Sequence, residues 1–326
     1  TQSYQNMITN YGKKGAGYKG AGTVRNTFQI VFNVIKGNTK NLQRICAGLT
    51  NYNLQYDAAV ERSEKDTYFP VTSAQAANLE IGTYVSVGYA ANNNGSLNKD
   101  RGQTSIHAYA DDVKILRIED MNDGNKAVYL DISEGFNTTK VALTDSLSSP
   151  VILSTMHTYT GETNRVIGKH DGSAVSNTSG RHPYRVQGTE YAVGGYIVAS
   201  DTVMEFQTDS SKKVYAAKNG VVHVTDTTKI RSTYKEVGTI PNYSGTDWWI
   251  GDIGVDTETG VWYPAVSATS EAQGYGDRCY CGGTATSGTR EYLQGGSLGD
   301  GSDAGSSSLH CRGRLAGANW SCLSAD

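Results

Sequence analysis

Apolar residues recur at every second position through much of this chain, and that period marks strands with one buried face. In "TVRNTFQIVFNVIKGN", Phe28, Ile30, Phe32 and Val34 alternate, which predicts a strand. "TYVSVGYA", "KAVYLDI" and "SPVILSTMHTYT" predict others, as does "TSIHAYADDVKILRIED" with Val113, Ile115, Leu116 and Ile118. The Asp-Gly pair in "MNDGNKAV" predicts a hairpin turn. Helical patterning is sparser. "VTSAQAANLEIG" predicts a short helix capped by Thr72 or Ser73 and closed by Gly82. Leu42, Ile45, Cys46 and Leu49 have helical spacing, but their segment also suits a long strand.

Two stretches have little to bury. "GKKGAGYKGAG" makes residues 1–22 a flexible arm, and the polar, Gly/Ser-rich residues 168–182 make a linker or long loop. The chain therefore divides into an arm (1–22), a β-rich assembly or anchoring domain (23–167), the linker (168–182) and a second domain (183–326). In the second domain, "YRVQGTEYAVGGYIVASDTVMEFQTD" predicts strands interrupted at Gly194-Gly195. "TDTTKIRSTYKEVG" predicts a helix capped by Thr225 or Asp226, with Ile230, Tyr234 and Val237 on one face and Gly238 as its stop. "DWWIGDIGVDTETGVWYPAV" predicts two strands around a "DTETG" turn. The fold class is mainly β with a few short helices, of the α+β kind.

The tail from Gln294 onward has the composition of a linker, with Gly and Ser at 14 of its 33 residues. It nevertheless carries Leu309, Leu315, Trp320 and Leu323. Read as an extended segment, Leu309, Cys311, Gly313 and Leu315 face a core, and His310, Arg312, Arg314 and Ala316 face away. The outward set is chemically mixed, which suits a recognition surface better than a structural one.

Composition narrows the function classes. With 29 basic and 32 acidic residues, a net charge of −3 and a pI near 6.1, nothing suggests nucleic-acid binding. No apolar run is long enough for a membrane helix, so membrane insertion is not expected, and the first residues lack the apolar stretch of a leader. Cys46, Cys279, Cys281, Cys311 and Cys322 lack the paired knuckles of a zinc site and read as free thiols, with a bond among the last four left open. The six histidines stand singly, and no hydrolase, metalloprotease or P-loop motif occurs, so an enzyme is not expected. A Ser/His/Asp triad could still assemble in space. Asp252, Asp256 and Glu258, and the Asp pair in "GDGSDAGSSS", could offer oxygens to calcium, but the EF-hand pattern is missing and Asp-rich turns explain them. No cofactor or metal is expected.

"YRVQGTEYAVGGYIVASD", "DWWIGDIGVDTETGVWYP", "GTATSGTREYLQGGSLGDGS" and the closing "GANWSCLSAD" resemble the variable target proteins of diversity-generating retroelements. These end in a C-type-lectin fold of the formylglycine-generating-enzyme-like subgroup, and the resemblance covers roughly residues 183–326. It implies that adenine-directed mutagenesis turns AAC codons into NNC, which cannot write Lys, Glu, Gln, Met or Trp. After Gln294 the tail contains none of these except Trp320. The resemblance implies a non-enzymatic display protein, hypervariable at its C-terminal surface, that recognises a protein or glycan ligand on a cell surface. It would sit on a phage virion surface (capsid or tail) beside other virion proteins, as a homo-oligomer with a trimer favoured. A bacterial cell-surface or secreted location is the alternative. The rival functions are a capsid or tail decoration protein and a calcium-dependent carbohydrate-binding lectin; the latter's Glu-Pro-Asn group is missing, and "NWS" stands where Trp-Asn-Asp is expected. The implied ligand-binding residues are Cys279, Cys281, Ser297, Asp300, Ser302, Asp303, Ser308, His310, Arg312, Arg314, Ala316, Asn319 and Ser321. Trp248, Trp249, Trp262 and Trp320 are the implied scaffold.

Overall fold

A computed structural model describes residues 4–14, 20–45, 54–156, 184–186, 189–191, 196–218, 226–243, 245–282, 285–297, 300 and 303–313. The fold is mainly β with a few short helices, as the patterning predicts. It divides into two compact units, one of residues 51–162 and one of residues 1–50 with 163–326. The expected arm over 1–22 and first domain from residue 23 are therefore corrected. The opening segment folds into the C-terminal unit, because two helices there have partners to pack on. These are α1 (Tyr4–Gly12) and α2 (Thr23–Gly37). The expected linker at 168–182 lies outside the described residues.

In the 51–162 unit, six strands form one antiparallel sheet: β1 (Gln55–Asp57), β2 (Tyr68–Val71), β3 (Tyr84–Tyr89), β4 (Ala110–Asp120), β5 (Lys126–Leu130) and β6 (Val151–Thr155), in the order β1-β6-β3-β4-β5-β2. The β4–β5 hairpin turns through Gly124 at φ +84°, as the Asp-Gly signal predicts. Phe69, Val71, Val85, Val87, Ile115, Val128 and Leu153 fill the core. The short helix α3 (Ser73–Ala76) is capped by a reciprocal box. Thr72 Oγ1 accepts from the Gln75 amide at 3.2 Å, and the Thr72 amide donates to Gln75 Oε1 at 2.9 Å.

The other unit is built on an eight-stranded sheet. Its strands are β7 (Ile197–Phe206), β8 (Lys212–Ala216), β9 (Lys235–Ile240), β10 (Trp248–Val255), β11 (Trp262–Ala268), β12 (Arg278–Tyr280), β13 (Thr289–Gln294) and β14 (Leu309–His310). The order is β9-β8-β7-β13-β14-β12-β10-β11, and the edges β9 and β11 approach each other so that the sheet nearly closes. Tyr263 makes that closure. It stands opposite Gly254 in the neighbouring strand, and its ring lies against Gly238 of β9, where a Cβ would come within 2.2 Å of it. Gly238→Ala is expected to cost about 1–3 kcal/mol by overpacking. Urea melts check this, and an unchanged midpoint would refute the role assigned to Tyr263.

The helix expected over "TDTTKIRSTYKEVG" is corrected. A 3-10 turn at Thr227–Lys229, capped by Asp226, leads into one short helix, α4 (Ile230–Thr233). Tyr234 is already extended, and Lys235–Ile240 pairs with β8. Pairing along β8 satisfies a row of backbone groups that the local helical spacing could not outweigh. The strand expected over Phe28–Val34 is likewise corrected to α2. Asp201 of β7 holds its first turn, with the Thr23 amide donating to both carboxylate oxygens at 2.9 and 3.1 Å. Of the segment left open between helix and strand, the described part is a 3-10 turn, Leu42–Arg44, with Leu42 and Ile45 buried; Cys46 and Leu49 lie outside it.

The two faces of the sheet are covered differently. One carries the main core: Met204, Val214, Ile250, Trp262, Tyr292, Leu309 and the three thiols, joined by Ile30 of α2 and by Leu42. On the other face α1 lays Tyr4 and Met7 over Tyr196, Val198, Val203, Tyr215 and Leu293.

Candidate functional site

β12 and β14 run parallel, with Cys279 beside Leu309 and Tyr280 beside His310. Side chains alternate across a strand, so this register sorts them into two sets. Cys279, Cys281, Leu309 and Cys311 point into the core, each with no exposed surface. Arg278, Tyr280, His310 and Arg312 point the other way. β10 pairs with β12 so that Trp248 faces the thiols and Trp249 stands beside Arg278, whose guanidinium lies 5.3 Å from the Trp249 ring centroid. Trp249, Arg278 and Tyr280 are half-buried and Arg312 is exposed.

Each cation of this patch is held by a carboxylate. Arg278 Nη1 lies 2.9 Å from Asp303 Oδ2, with the Tyr280 hydroxyl donating to the same oxygen at 3.5 Å. Arg312 Nη2 meets Asp247 Oδ1 at 2.5 Å, and its Nε donates to the Gly282 carbonyl at 3.0 Å. His310 lies between two aromatic rings, 5.3 Å from Tyr196 edge-on and 6.1 Å from Tyr280. Burial lowers the pKa of His310 to about 4, with the Arg312 charge adding to it. The Arg312 amide donates to Nδ1 at 3.3 Å, so the neutral imidazole carries its proton on Nε2. Burial also raises the Tyr280 and Tyr196 hydroxyls far above the usual range, and the Asp300 charge pushes the same way. The patch is thus aromatic, near-neutral in sum and rich in donors and acceptors that can exchange partners.

The start of the tail is anchored rather than loose. Ser307 donates through its amide (2.9 Å) and hydroxyl (2.7 Å) to the buried Asp277, and Gln43 donates to Asp277 from the opening segment at 2.7 Å. A Cβ at Gly305 would fall about 2 Å from the Asp277 carboxyl, so only glycine allows this approach. Low complexity here reflects close packing.

These facts revise the expected site. Cys279 and Cys281 are corrected from surface to core. Ser308 is corrected likewise: it is buried, and its hydroxyl donates to the Arg278 carbonyl at 2.9 Å. Trp249 is corrected from scaffold to the rim of the patch, whereas Trp248 and Trp262 are buried. Asp303 and Arg312 come together with His310 as described, but His310 is corrected from surface to buried, since the Tyr196 and Tyr280 rings enclose it. Ser297 and Asp300 form a turn beside them, with the Ser297 amide donating to Asp300 Oδ2 at 2.6 Å. Ser302, Arg314, Ala316, Asn319, Trp320 and Ser321 lie outside the described residues. Sequence reasoning passed over Tyr196, Asp247, Arg278 and Tyr280. The alternation around Cys279 and Cys281 could have found Arg278 and Tyr280, since thiols facing inward send their neighbours outward.

Other candidate chemistry resolves differently. Lys212, which has no exposed surface, donates to the Cys281 carbonyl at 2.7 Å, and its charge acts on the Cys281 and Cys311 thiols. Cys281 accepts from Cys279 and Cys311 and faces the Lys212 charge, which lowers its thiol pKa, while burial raises the other two. Among the described residues no group of three or more His, Cys, Asp or Glu is placed to hold a metal ion. Asp252 pairs with Lys40 at 2.9 Å, Asp256 with Lys235 at 2.7 Å and Glu258 with Lys218 at 3.1 Å. In the 51–162 unit Ser86, His107 and Asp111 do meet, but in the wrong order for nucleophilic catalysis. Ser86 Oγ donates to Asp111 at 2.9 Å, while His107 places Nδ1 on Asp111 and Nε2 on the Arg101 carbonyl. Both imidazole nitrogens are taken by acceptors, which leaves none to receive a serine proton. Compared with known proteins, the chain matches no family model, no curated protein and no solved structure.

Proposed function

We propose that the 163–326 region is a non-enzymatic recognition domain that displays the patch of Trp249, Arg278, Tyr280 and Arg312, backed by the buried His310, to a protein or glycan ligand. The observation that carries this reading is the division of labour within β12 and β14. Cys279, Cys281, Leu309 and Cys311 are locked into the core, and Arg278, Tyr280 and Arg312, which alternate with them, form one mixed aromatic and charged surface over the buried His310. Such a strand pair tolerates exchange of its outward side chains without loss of the fold, which is what a diversified display surface needs. The resemblance to retroelement target proteins, with their C-type-lectin fold and phage setting, points the same way, and His310 and Arg312 are residues that NNC codons can write. Tyr and Arg are the side chains most often found at interface hot spots.

Glycan arrays and peptide-display libraries, probed with the full chain, test the reading. Tyr280→Ala and Arg312→Ala are each expected to weaken a selected binder by about tenfold to a hundredfold, or 1.4–2.8 kcal/mol, with melting unchanged. A binder whose affinity neither substitution moves would place recognition elsewhere. The diversification arm is tested at the gene: a near-copy of the tail-coding repeat, differing at template adenines and lying beside a reverse transcriptase, is expected.

A further inference from the structure

Lys212, the first residue of β8, is a buried charge with no role in the patch. It has no exposed surface, and an ammonium taken out of water needs a counter-charge. Its Nζ donates to the Cys281 carbonyl at 2.7 Å, and it lies 3.5 Å from Asn242 Oδ1 and 4.9 Å from the Phe206 ring centroid. None of these partners is charged, and among the described residues no carboxylate comes within ion-pair distance of it. The ionisable group that answers it is the Cys281 thiol. Cys279 and Cys311 donate to Cys281, and the Lys212 charge adds to them, which lowers the Cys281 pKa to about 4 against the effect of burial. A thiolate at Cys281 balances Lys212, and the thiolate is the reactive form of cysteine.

The strand register settles which thiol can join it. Tyr280 stands beside His310 in the parallel pair, and the Cys311 amide donates to the Tyr280 carbonyl at 3.1 Å, so the ladder continues and sets Cys281 beside Cys311. Neighbouring strands lie about 4.8 Å apart, well inside the Cα separation of about 4.4–6.8 Å that a disulfide spans. Cys279 and Cys311 are diagonal neighbours, about 7–8 Å apart and beyond that span. Cys279 and Cys281 are two strand residues apart, about 6.6 Å and at its far end, with both Cβ atoms pointing the same way.

We propose that Cys281 and Cys311 are a peroxide-sensitive redox pair, in which Cys281 is oxidised first and Cys311 then closes a disulfide between the ends of β12 and β14. Burial selects the oxidant. Neither sulfur is exposed to a bulky disulfide reagent, whereas hydrogen peroxide is close to water in size. The Cys281 thiolate attacks one peroxide oxygen and breaks the O–O bond. Its sulfur loses two electrons and becomes a sulfenic acid. The other oxygen leaves as hydroxide and takes up the proton that Cys281 released on ionising, which gives the first water. Cys311 Sγ then attacks the Cys281 sulfur; the S–S bond forms, the S–O bond breaks, and the hydroxyl leaves with the Cys311 proton as the second water. Two thiols and one hydrogen peroxide thus become one disulfide and two waters. Cys279 donates its hydrogen bond and stays a thiol.

Peptide mapping of the full, folded chain after exposure to hydrogen peroxide tests this, with the remaining thiols alkylated in denaturant. The expected product is a link from Cys281 to Cys311, reversed by dithiothreitol, in the wild type and in Cys279→Ser alike. Cys311→Ser is expected to stop at the sulfenic acid of Cys281, which dimedone captures. Lys212→Met is expected to slow the oxidation about tenfold, because Cys281 loses the charge that favours its thiolate. No link in the folded wild type, a link through Cys46, Cys279 or Cys322 in its place, or an unchanged rate in Lys212→Met would each overturn the proposal. The wild-type map needs no substitution, so it carries the test even if a variant fails to fold. Since these readouts need no ligand, failure of the recognition reading leaves them untouched.

Discussion

Replacing Trp262 by alanine is expected to remove about 3–5 kcal/mol from the unit of residues 1–50 and 163–326, and to leave the 51–162 unit folded. Trp262 has no exposed surface and sits where the main sheet, α2 and the tail are joined. Its Nε1 donates to Asn26 Oδ1 at 2.7 Å and to Gln294 Oε1 at 3.2 Å. Its carbonyl accepts from the Tyr292 hydroxyl at 2.6 Å, and the two rings meet edge-on at 5.9 Å. Asn26 passes the connection on to Ser306, so a single side chain ties helix, sheet and tail. Trp262→Phe separates the polar part of this effect from the packing part. It removes both indole hydrogen bonds, to Asn26 and to Gln294, at an expected cost of about 1–3 kcal/mol. Combined with Asn26→Ala, its cost should fall short of the sum, because both changes break the same bond. Urea unfolding followed by hydrogen exchange resolves the two units. Equal loss of protection in residues 54–156 and in the other unit would sink the expectation, as would a Trp262→Phe variant as stable as the wild type.

The second large effect is a loss of stability as the pH rises, opposite in direction to ordinary acid unfolding. Glu291 is fully buried; its Oε1 accepts from the Tyr4 amide at 2.6 Å, and its Oε2 has no hydrogen-bond partner among the described residues. Burial raises its pKa from 4.5 to about 7, against the pull of the Tyr4 amide. Asp277 is raised from 3.8 to about 6 by burial, opposed by Ser307 and Gln43. In both cases the folded state keeps a proton that the unfolded chain has released, so it binds more protons across the interval and stability falls with pH. This contribution is fully present below the unfolded pKa and is lost as the pH passes the folded one. His310 works the other way. Its pKa is lowered from 6.5 to about 4, so between those values the unfolded chain binds the extra proton and stability rises with pH. Two carboxyls outweigh one imidazole between pH 4.5 and about 6, and from pH 6.5 to about 7 Glu291 still titrates, joined in the 51–162 unit by His107. Against the effect of burial, the Arg101 carbonyl and Asp111 raise the His107 pKa above 6.5, so it too favours the folded state less as the pH rises. Glu291→Gln is expected to flatten the profile and to be more stable than the wild type at pH 8, by roughly 2–3 kcal/mol. Denaturation midpoints at pH 5 and pH 8 decide it, and identical pH dependence in the two proteins would refute the assignment.

Both predictions rest on contacts far apart in the sequence. Tyr4 meets Glu291, Asn26 meets Trp262 and Gln43 meets Asp277, each over more than two hundred residues. Local pattern cannot show such pairs, and for that reason residues 1–22 read as an arm. The Ser and Gly of 305–308 have a linker's composition because composition counts residue types and does not see that Ser307 is closed onto Asp277.

The sequence by itself determined where the chain alternates and turns. The strands at Tyr84–Tyr89, Lys126–Leu130, Trp248–Val255 and Trp262–Ala268, the Thr72 cap and the Gly124 turn all follow from side chains acting within a few residues. Local chemistry suffices there because the alternation, the capping oxygen and the positive φ are properties of adjacent residues. Only the tertiary structure decided what Phe28, Ile30, Phe32 and Val34 become. Their alternation coincides with a helical stripe through Val24, Phe28, Val31 and Ile35, so both periods fit the same fifteen residues. The helix forms because Asp201 receives its first amide and Trp262 donates to Asn26, partners that only the folded sheet supplies. The candidate site shows the same division. Mixed outward residues were legible in the tail at His310 and Arg312. Their joining to Trp249, Arg278 and Tyr280 depended on a parallel pairing between strands some thirty residues apart, set by how the sheet buries its thiols.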